Sequence, residues 1–233
     1  AELVMTPAFP RDELRMLKRR ERVMLRYAET DPAYRADLEL RQQLFEGHPY
    51  ARPATGGPKD VKRLGREELI EWWHALARPE DAVLYLGGDV AVEEAFRAAE
   101  EAFGEWTGSG GLAPAPLPPA PEMEPGGVYL ADVPGAVQSQ IRLGQVSLAP
   151  GHPDYFAARV FSEVYGGSFS SRLNMALRGE QGRTYGAFGG FMFHKHGGYL
   201  ASRVSTETQQ TPEALASMLD VLEGLRNAPP SPE

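Results

Sequence analysis

Apolar positions recur at mixed three- and four-residue steps through the first third of the chain and give way later to alternation. Residues 11–28 place Leu14, Leu17, Val23, Met24 and Tyr27 on such steps behind the entry signals Pro10 and Asp12, which predicts a helix. Residues 31–46 open with Asp31-Pro32, a cap residue followed by proline at the first helical position, and carry Leu38, Leu40, Leu44 and Phe45; a second helix is expected. A turn-rich loop follows from Gly47 to Pro58. Residues 66–77 bring Leu69, Ile70, Trp72, Trp73 and Leu76 onto one broad helical face. The short apolar run Ala82-Val83-Leu84-Tyr85-Leu86, closed by Gly87-Gly88-Asp89, predicts a buried strand. An amphipathic helix is expected at 91–104.

From Gly104 to Gly127 the pattern breaks down, with Pro114, Pro116, Pro118, Pro119, Pro121 and Pro125 in quick succession. Such a stretch packs as neither helix nor sheet and predicts an extended linker. Beyond it, Val128–Asp132 and Gln138–Ser147 alternate like strands, and residues 153–165 and 170–178 have helical spacing. Tyr185–Phe193 and Tyr199–Thr206 predict a hairpin turning at Gly197-Gly198, and residues 212–226 predict a closing helix. Strands grouped with helices in this way predict an α+β fold, a sheet with helices packed on one face. The chain opens almost directly into a helix and ends in Ala228-Pro229-Pro230-Ser231-Pro232, and is expected to be a segment of a longer protein.

Composition narrows the function. With 233 residues, 42% of them hydrophobic, the chain can bury a sizeable core. A net charge of −8 argues against nucleic acid as a partner. The basic cluster Arg15–Arg22 is interrupted by apolar residues and fits a solvated helix face. There are no cysteines, which excludes disulfides and thiolate metal sites and leaves the compartment open, cytoplasm or periplasm. No apolar run approaches the roughly 20 residues of a membrane span, and no signal-peptide pattern opens the chain.

Three stretches carry a family resemblance. The first is Gly47-His48-Pro49-Tyr50 with Gly56, Leu69–Trp73 and Val83–Asp89. The second is Gln138-Ser139-Gln140. The third, the most specific, is Gly166-Gly167-Ser168-Phe169-Ser170-Ser171-Arg172-Leu173-Asn174, then Leu177-Arg178 and Gly182-Arg183-Thr184-Tyr185. In this order they resemble the insulinase/pitrilysin family of zinc metallopeptidases, which includes mitochondrial processing peptidase. The resemblance implies two related α+β domains with a metallohydrolase-like sheet, the first incomplete: residues 1–104 as the latter part of an N-terminal domain, 105–126 as linker, and 127–233 as a C-terminal domain.

In that family zinc is held by an His-x-x-Glu-His motif and a Glu on a later helix; the metal activates a water that attacks the peptide carbonyl. This chain has no His-x-x-Glu-His. Matching Glu21–Arg26 to the ligand helix puts the third-ligand position at or near Tyr27, and a phenol is a poor substitute for a carboxylate; Glu29 lies two residues on. No metal site is therefore expected here, and zinc is expected on a partner or an upstream segment. The family also uses an Arg and a Tyr seven residues apart to hold substrate, a spacing that Arg178 and Tyr185 match. Both side chains donate hydrogen bonds and suit peptide carbonyls.

The resemblance thus implies a subunit that binds and positions peptide or unfolded polypeptide for proteolysis by a zinc-bearing partner, with a zinc-bearing homologous subunit or self-association as the expected assembly. The alternatives are a fragment of an active zinc endopeptidase whose motif lies upstream, and an assembly subunit that binds no peptide. Among smaller signals, His194 and His196 alternate as a solvent-facing pair, while His48 and His74 fit packing or capping roles. Gly166-Gly167 fits a tight turn, and Gly189-Gly190 leaves room for a substrate strand beside the sheet.

Overall fold

A computed structural model describes residues 1–108, 116–122, 126–180, 184 and 186–228. The chain packs as two compact units, one of residues 1–26 and 56–116, the other of residues 27–55 and 117–233.

The first unit is helical. Its elements are α1 (Glu2–Met5), α2 (Arg11–Ala28, whose last two residues belong to the second unit), then α4 (Pro58–Arg63), α5 (Arg66–Leu76) and α6 (Val92–Phe103), with α3 (Pro32–Leu44) intervening in sequence. Side chains reaching main-chain carbonyls hold it together. The Trp73 indole donates to Val4 O at 2.9 Å, Arg66 donates to Phe9 O at 2.8 Å and to Ala8 O at 2.9 Å, and Lys18 donates to the carbonyls of Lys62 and Leu64. The Arg66 contacts fix a backbone corner at which Phe9 adopts φ +43°, a left-handed conformation that a bulky residue rarely takes, and Phe9 meets Trp73 edge to face.

The strand expected at residues 82–86 is absent. These residues have no ladder partner among the described residues, and Val83 and Tyr85 are 71% and 88% exposed. An apolar run becomes a strand only when another strand satisfies its backbone donors and acceptors. The second expected strand, Val128–Asp132, fails for the same reason, with Val128 at 93% exposure and Leu130 at 91%.

The second unit is built on a three-stranded antiparallel sheet, order β1-β3-β2, from β1 (Gln138–Ser147), β2 (Ala187–His194) and β3 (Gly197–Glu207). The helices α7 (Tyr155–Tyr165), α8 (Arg172–Asn174) and α9 (Thr211–Asn227) follow the expected pattern. The hairpin turns at Lys195-His196, one pair earlier than expected, because His194 still pairs with Gly197 and Phe193 with Gly198.

Period-two alternation sorts the sheet into two faces. Ile141, Leu143, Ala187, Leu200, Ser202 and Val204 face α7–α9 and form the main core with Tyr165, Leu173, Leu177, Ala214 and Met218. In that core the Tyr165 hydroxyl pairs with Ser202 Oγ at 2.5 Å, and burial raises the phenol's pKa. The opposite face, with Gly144, Tyr199 and Ala201, receives α3. There Leu40, Leu44, Phe45 and Tyr50 pack in a second cluster, and a Cβ on Gly144 would lie 2.7 Å from Leu40. A buried Arg142 ties α3 down through Asp37 at 2.6 Å and Ala33 O at 3.0 Å. The architecture is thus the expected α+β sheet backed by helices, with α3 laid on its other side.

Candidate functional site

The segment from Gly166 to Arg178 is anchored by what it buries. Leu173 and Leu177, four residues apart on one helical face, are both fully buried in the main core. Between them Asn174 is buried and bonded at both ends of its amide: Nδ2 donates to Phe169 O at 2.6 Å, and Oδ1 accepts from Ala187 N–H at 3.2 Å. Ser-Ser-Arg-Leu-Asn, the most specific part of the family signature, is thereby explained by local structure. Its Leu fills the core, and its Asn pins the loop at Phe169 to the start of β2.

After Asn174 the chain widens into a π-helical turn, Met175–Glu180, a rare geometry that recurs at functional positions. The turn presents Arg178 to solvent, with its guanidinium carbon 4.2 Å from the centre of the Phe169 ring. A cation over an aromatic face at an exposed site contributes about 0.5–1 kcal/mol, enough to bias the rotamer without locking it. Tyr185 lies outside the described residues. Its neighbour Thr184 turns back on the chain, the hydroxyl donating to Gly186 O at 2.9 Å and accepting from Gly186 N–H at 3.2 Å.

The outer edge of β2 is closed. Three main-chain donors on that edge, those of Ala187, Gly189 and Phe191, are taken: by Asn174 Oδ1, by Gly166 O at 3.1 Å, and by Ser162 Oγ at 2.9 Å. The expectation that Gly189-Gly190 leaves room for a substrate strand is corrected by this packing. A Cβ on Gly189 would lie 2.5 Å from the Tyr165 ring, one on Gly190 would lie 2.9 Å from Ser162, and one on Gly166 would lie 2.3 Å from Gly189 N. These glycines let α7 press against the strand.

The histidines are structural as well. His48 is buried; its Nδ1 accepts from Tyr50 N–H at 3.1 Å, and its Nε2 lies 3.0 Å from Pro118 O. The Tyr50 hydroxyl in turn accepts from His196 N–H at 3.1 Å. The His-Pro-Tyr motif therefore ties a loop, the proline-rich stretch and the hairpin turn together. His194 ends β2 with its ring against Tyr50 and Tyr199, at centroid distances of 4.8 and 5.9 Å, so the expected solvent-facing pair with His196 does not form. Burial, and secondarily the charge of Arg41, lower the His194 pKa.

Tyr27 sits in the last turn of α2 with its side chain turned to solvent at 73% exposure. The nearby Asp31 carboxylate is spent on capping α3, accepting from Ala33 N–H at 2.9 Å. Among the described residues no group of three or more His, Asp or Glu is placed to hold a metal. The residues around Tyr27 do not fit a zinc ligand set.

Comparison with known proteins accords with this geometry. The model of the family described as "Peptidase M16 inactive domain" matches residues 63–233. The "Non-peptidase homolog YmxG" of Helicobacter pylori is 25% identical over 89% of this chain and 48% of its own length. The "Probable inactive metalloprotease YmfF" of Bacillus subtilis is 24% identical over 97% of this chain and 54% of its own. The chain thus spans about half the length of these curated relatives. The crystal structure of a peptidase M16 inactive domain from Pseudomonas fluorescens superposes with a TM-score of 0.87 at 25% identity, over 99% of this chain and 55% of that one. The chain belongs to the M16 peptidase family and matches the model of its inactive domain, as the order of its motifs led one to expect.

Proposed function

We propose that this chain is a non-catalytic, substrate-gripping part of a two-part M16 peptidase, in which Arg178 and Tyr185 clasp an unfolded polypeptide and a zinc-bearing homologous partner cuts it. The observation that carries the reading is the setting of Arg178: a charged side chain held out to solvent by a π-helical turn, steadied on Phe169, and rooted through Leu173, Asn174 and Leu177 in the main core. A guanidinium ordered in advance loses less freedom on binding, and its fork suits peptide carbonyls. Tyr185 stands seven residues on in the sequence, just before β2. In this reading residues 1–104 are the later part of one peptidase-like domain, 105–126 its linker, and 127–233 most of a second. The setting of Tyr27 supports leaving metal chemistry to the partner.

The test is peptidase activity of this protein reconstituted with its zinc-bearing partner. Arg178→Ala and Tyr185→Phe should each lower kcat/KM by about ten- to a hundredfold, the scale of a lost charge-assisted or buried hydrogen bond. Activity unchanged in both variants overturns the proposal and favours an assembly subunit, a role the name of the Helicobacter relative also allows.

A further inference from the structure

We propose that the open face of the sheet over β2 and β3 holds a slot for the C-terminal residue of a peptide, its carboxylate on Arg203 and its apolar side chain between Phe188 and Met192. Among the described residues its lining does not include Arg178.

The register builds the slot. On this face Phe188 stands opposite Arg203, Gly190 opposite Ala201, and Met192 opposite Tyr199. Ala201 is therefore a floor between larger side chains, while Gly190 beside it lies against Ser162 of α7. On the neighbouring strand Gly144 continues that floor opposite Ala201, but Leu40 and Leu44 of α3 already cover it. What remains open is a groove of about 200 Å³ lined by Phe188, Met192, Ala201, Arg203 and the glycines Gly166, Gly167 and Gly189. Since a water occupies about 30 Å³, this is room for one large apolar side chain.

Charge selects the occupant. Arg142 and Arg203, directly opposed across β1 and β3, share one carboxylate: Asp37 Oδ1 lies 2.6 Å from Arg142 Nε and 3.3 Å from Arg203 Nε. Arg142 spends its other nitrogens on the carbonyls of Ile141 and Ala33. The pair leaves one positive charge in excess, on the guanidinium that lines the slot, and a guanidinium fork matches a carboxylate. The Glu163 carboxylate lies near Gly167, another lining residue, where an added Cβ would be 3.1 Å from its Oε2, so an anion is favoured beside Arg203 and disfavoured beside Gly167. The closed edge of β2 decides between a passing strand and a chain end. With the Ala187, Gly189 and Phe191 donors already taken, an added strand would find most of its main-chain bonds already made, which favours a terminus.

The experiment measures anisotropy of a fluorescein-labelled tetrapeptide ending in leucine, with a free carboxylate or as its amide, on the full chain. The amide should bind about tenfold or more weakly. Arg203→Gln should bind both forms at the amide's level, and Met192→Glu should bind neither. Equal affinity for the two forms, no binding of either, octanoate binding as tightly as the peptide, or a difference that survives in Arg203→Gln with an unchanged melting temperature would each overturn the proposal.

Discussion

The two units of this chain carry similar apolar sequence and treat it differently. Residues 27–55 and 117–233 bury Tyr165, Leu173, Leu177, Val204 and Met218 around a sheet and Phe45 behind it. Among the described residues of the other unit, Val61 is the one buried hydrophobic, while Val83, Leu84, Tyr85 and Leu86 stand in solvent. Val83–Leu86 is more apolar than β1, so apolar content does not decide which of them becomes a strand. What separates them is β3, which gives every residue of β1 a partner in register, whereas residues 82–86 have none among the described residues. Helices form in both units because their hydrogen bonds are local; strands form in the one where a neighbour is present.

The sharpest way to break this comparison is to make the same truncation in both units. Leu173→Ala removes a fully buried side chain from the main core and should cost about 3–4 kcal/mol, within the range for large-to-small core changes. Leu86→Ala, at an exposed position, should cost less than about 0.5 kcal/mol. Denaturant midpoints read both. A Leu86→Ala loss comparable to that of Leu173→Ala would mean that residues 82–86 are packed in the protein and would erase the contrast.

Next in size is Gly166→Ala. Its Cβ would lie within 2.7 Å of three main-chain atoms of Gly189, and backbone cannot step aside as a flexible side chain can. Overpacking of this kind costs about 1–3 kcal/mol, and it should also open the bridge between Gly166 and Gly189. Hydrogen exchange at the Gly189 amide should speed up more than at Leu200, whose strand lies inside the sheet. Equal acceleration at both would show general loosening, and no acceleration would show that the edge is not closed by this contact.

Much of the fold could be read from residue patterns, and the failures share a cause. The helix at residues 11–28 and the strand at 138–147 fall where periodicity put them, because each carries its own signal in sequence. The strands at 82–86 and 128–132 do not form, since a strand depends on a partner that its own residues do not specify. The hairpin turn was misplaced because Gly197-Gly198 looks like a turn, yet both glycines are paired, and a Cβ at Gly198 would strike Leu148 O at 2.5 Å; close approach, not turning, calls for glycine there. The closed edge of β2 had no sequence signal beyond Ser162 and Asn174 at helical positions, and the groove beside Arg203 depends on cross-strand register. The Arg–Tyr pair was visible only through the family's motif, since seven residues of spacing alone say nothing of geometry.

The smallest expected effect concerns the ring that closes β2. His194 packs against Tyr50 and Tyr199 and faces Arg41, and burial first, then that positive charge, lowers its pKa from the ordinary 6.5. The unfolded chain therefore takes up a proton at a higher pH than the folded one. The stability contributed by the neutral ring is complete above about pH 6.5 and is lost as pH falls through the lowered folded value. Stability should accordingly fall as pH drops below about 6.5, and His194→Gln should flatten that fall. Arg41→Gln should flatten it less, because charge is the lesser cause. The diagnostic quantity is the difference in slope between each variant and the parent. Identical slopes in the parent and His194→Gln would place the ring in water and detach it from the aromatic cluster that joins the hairpin to the His-Pro-Tyr loop.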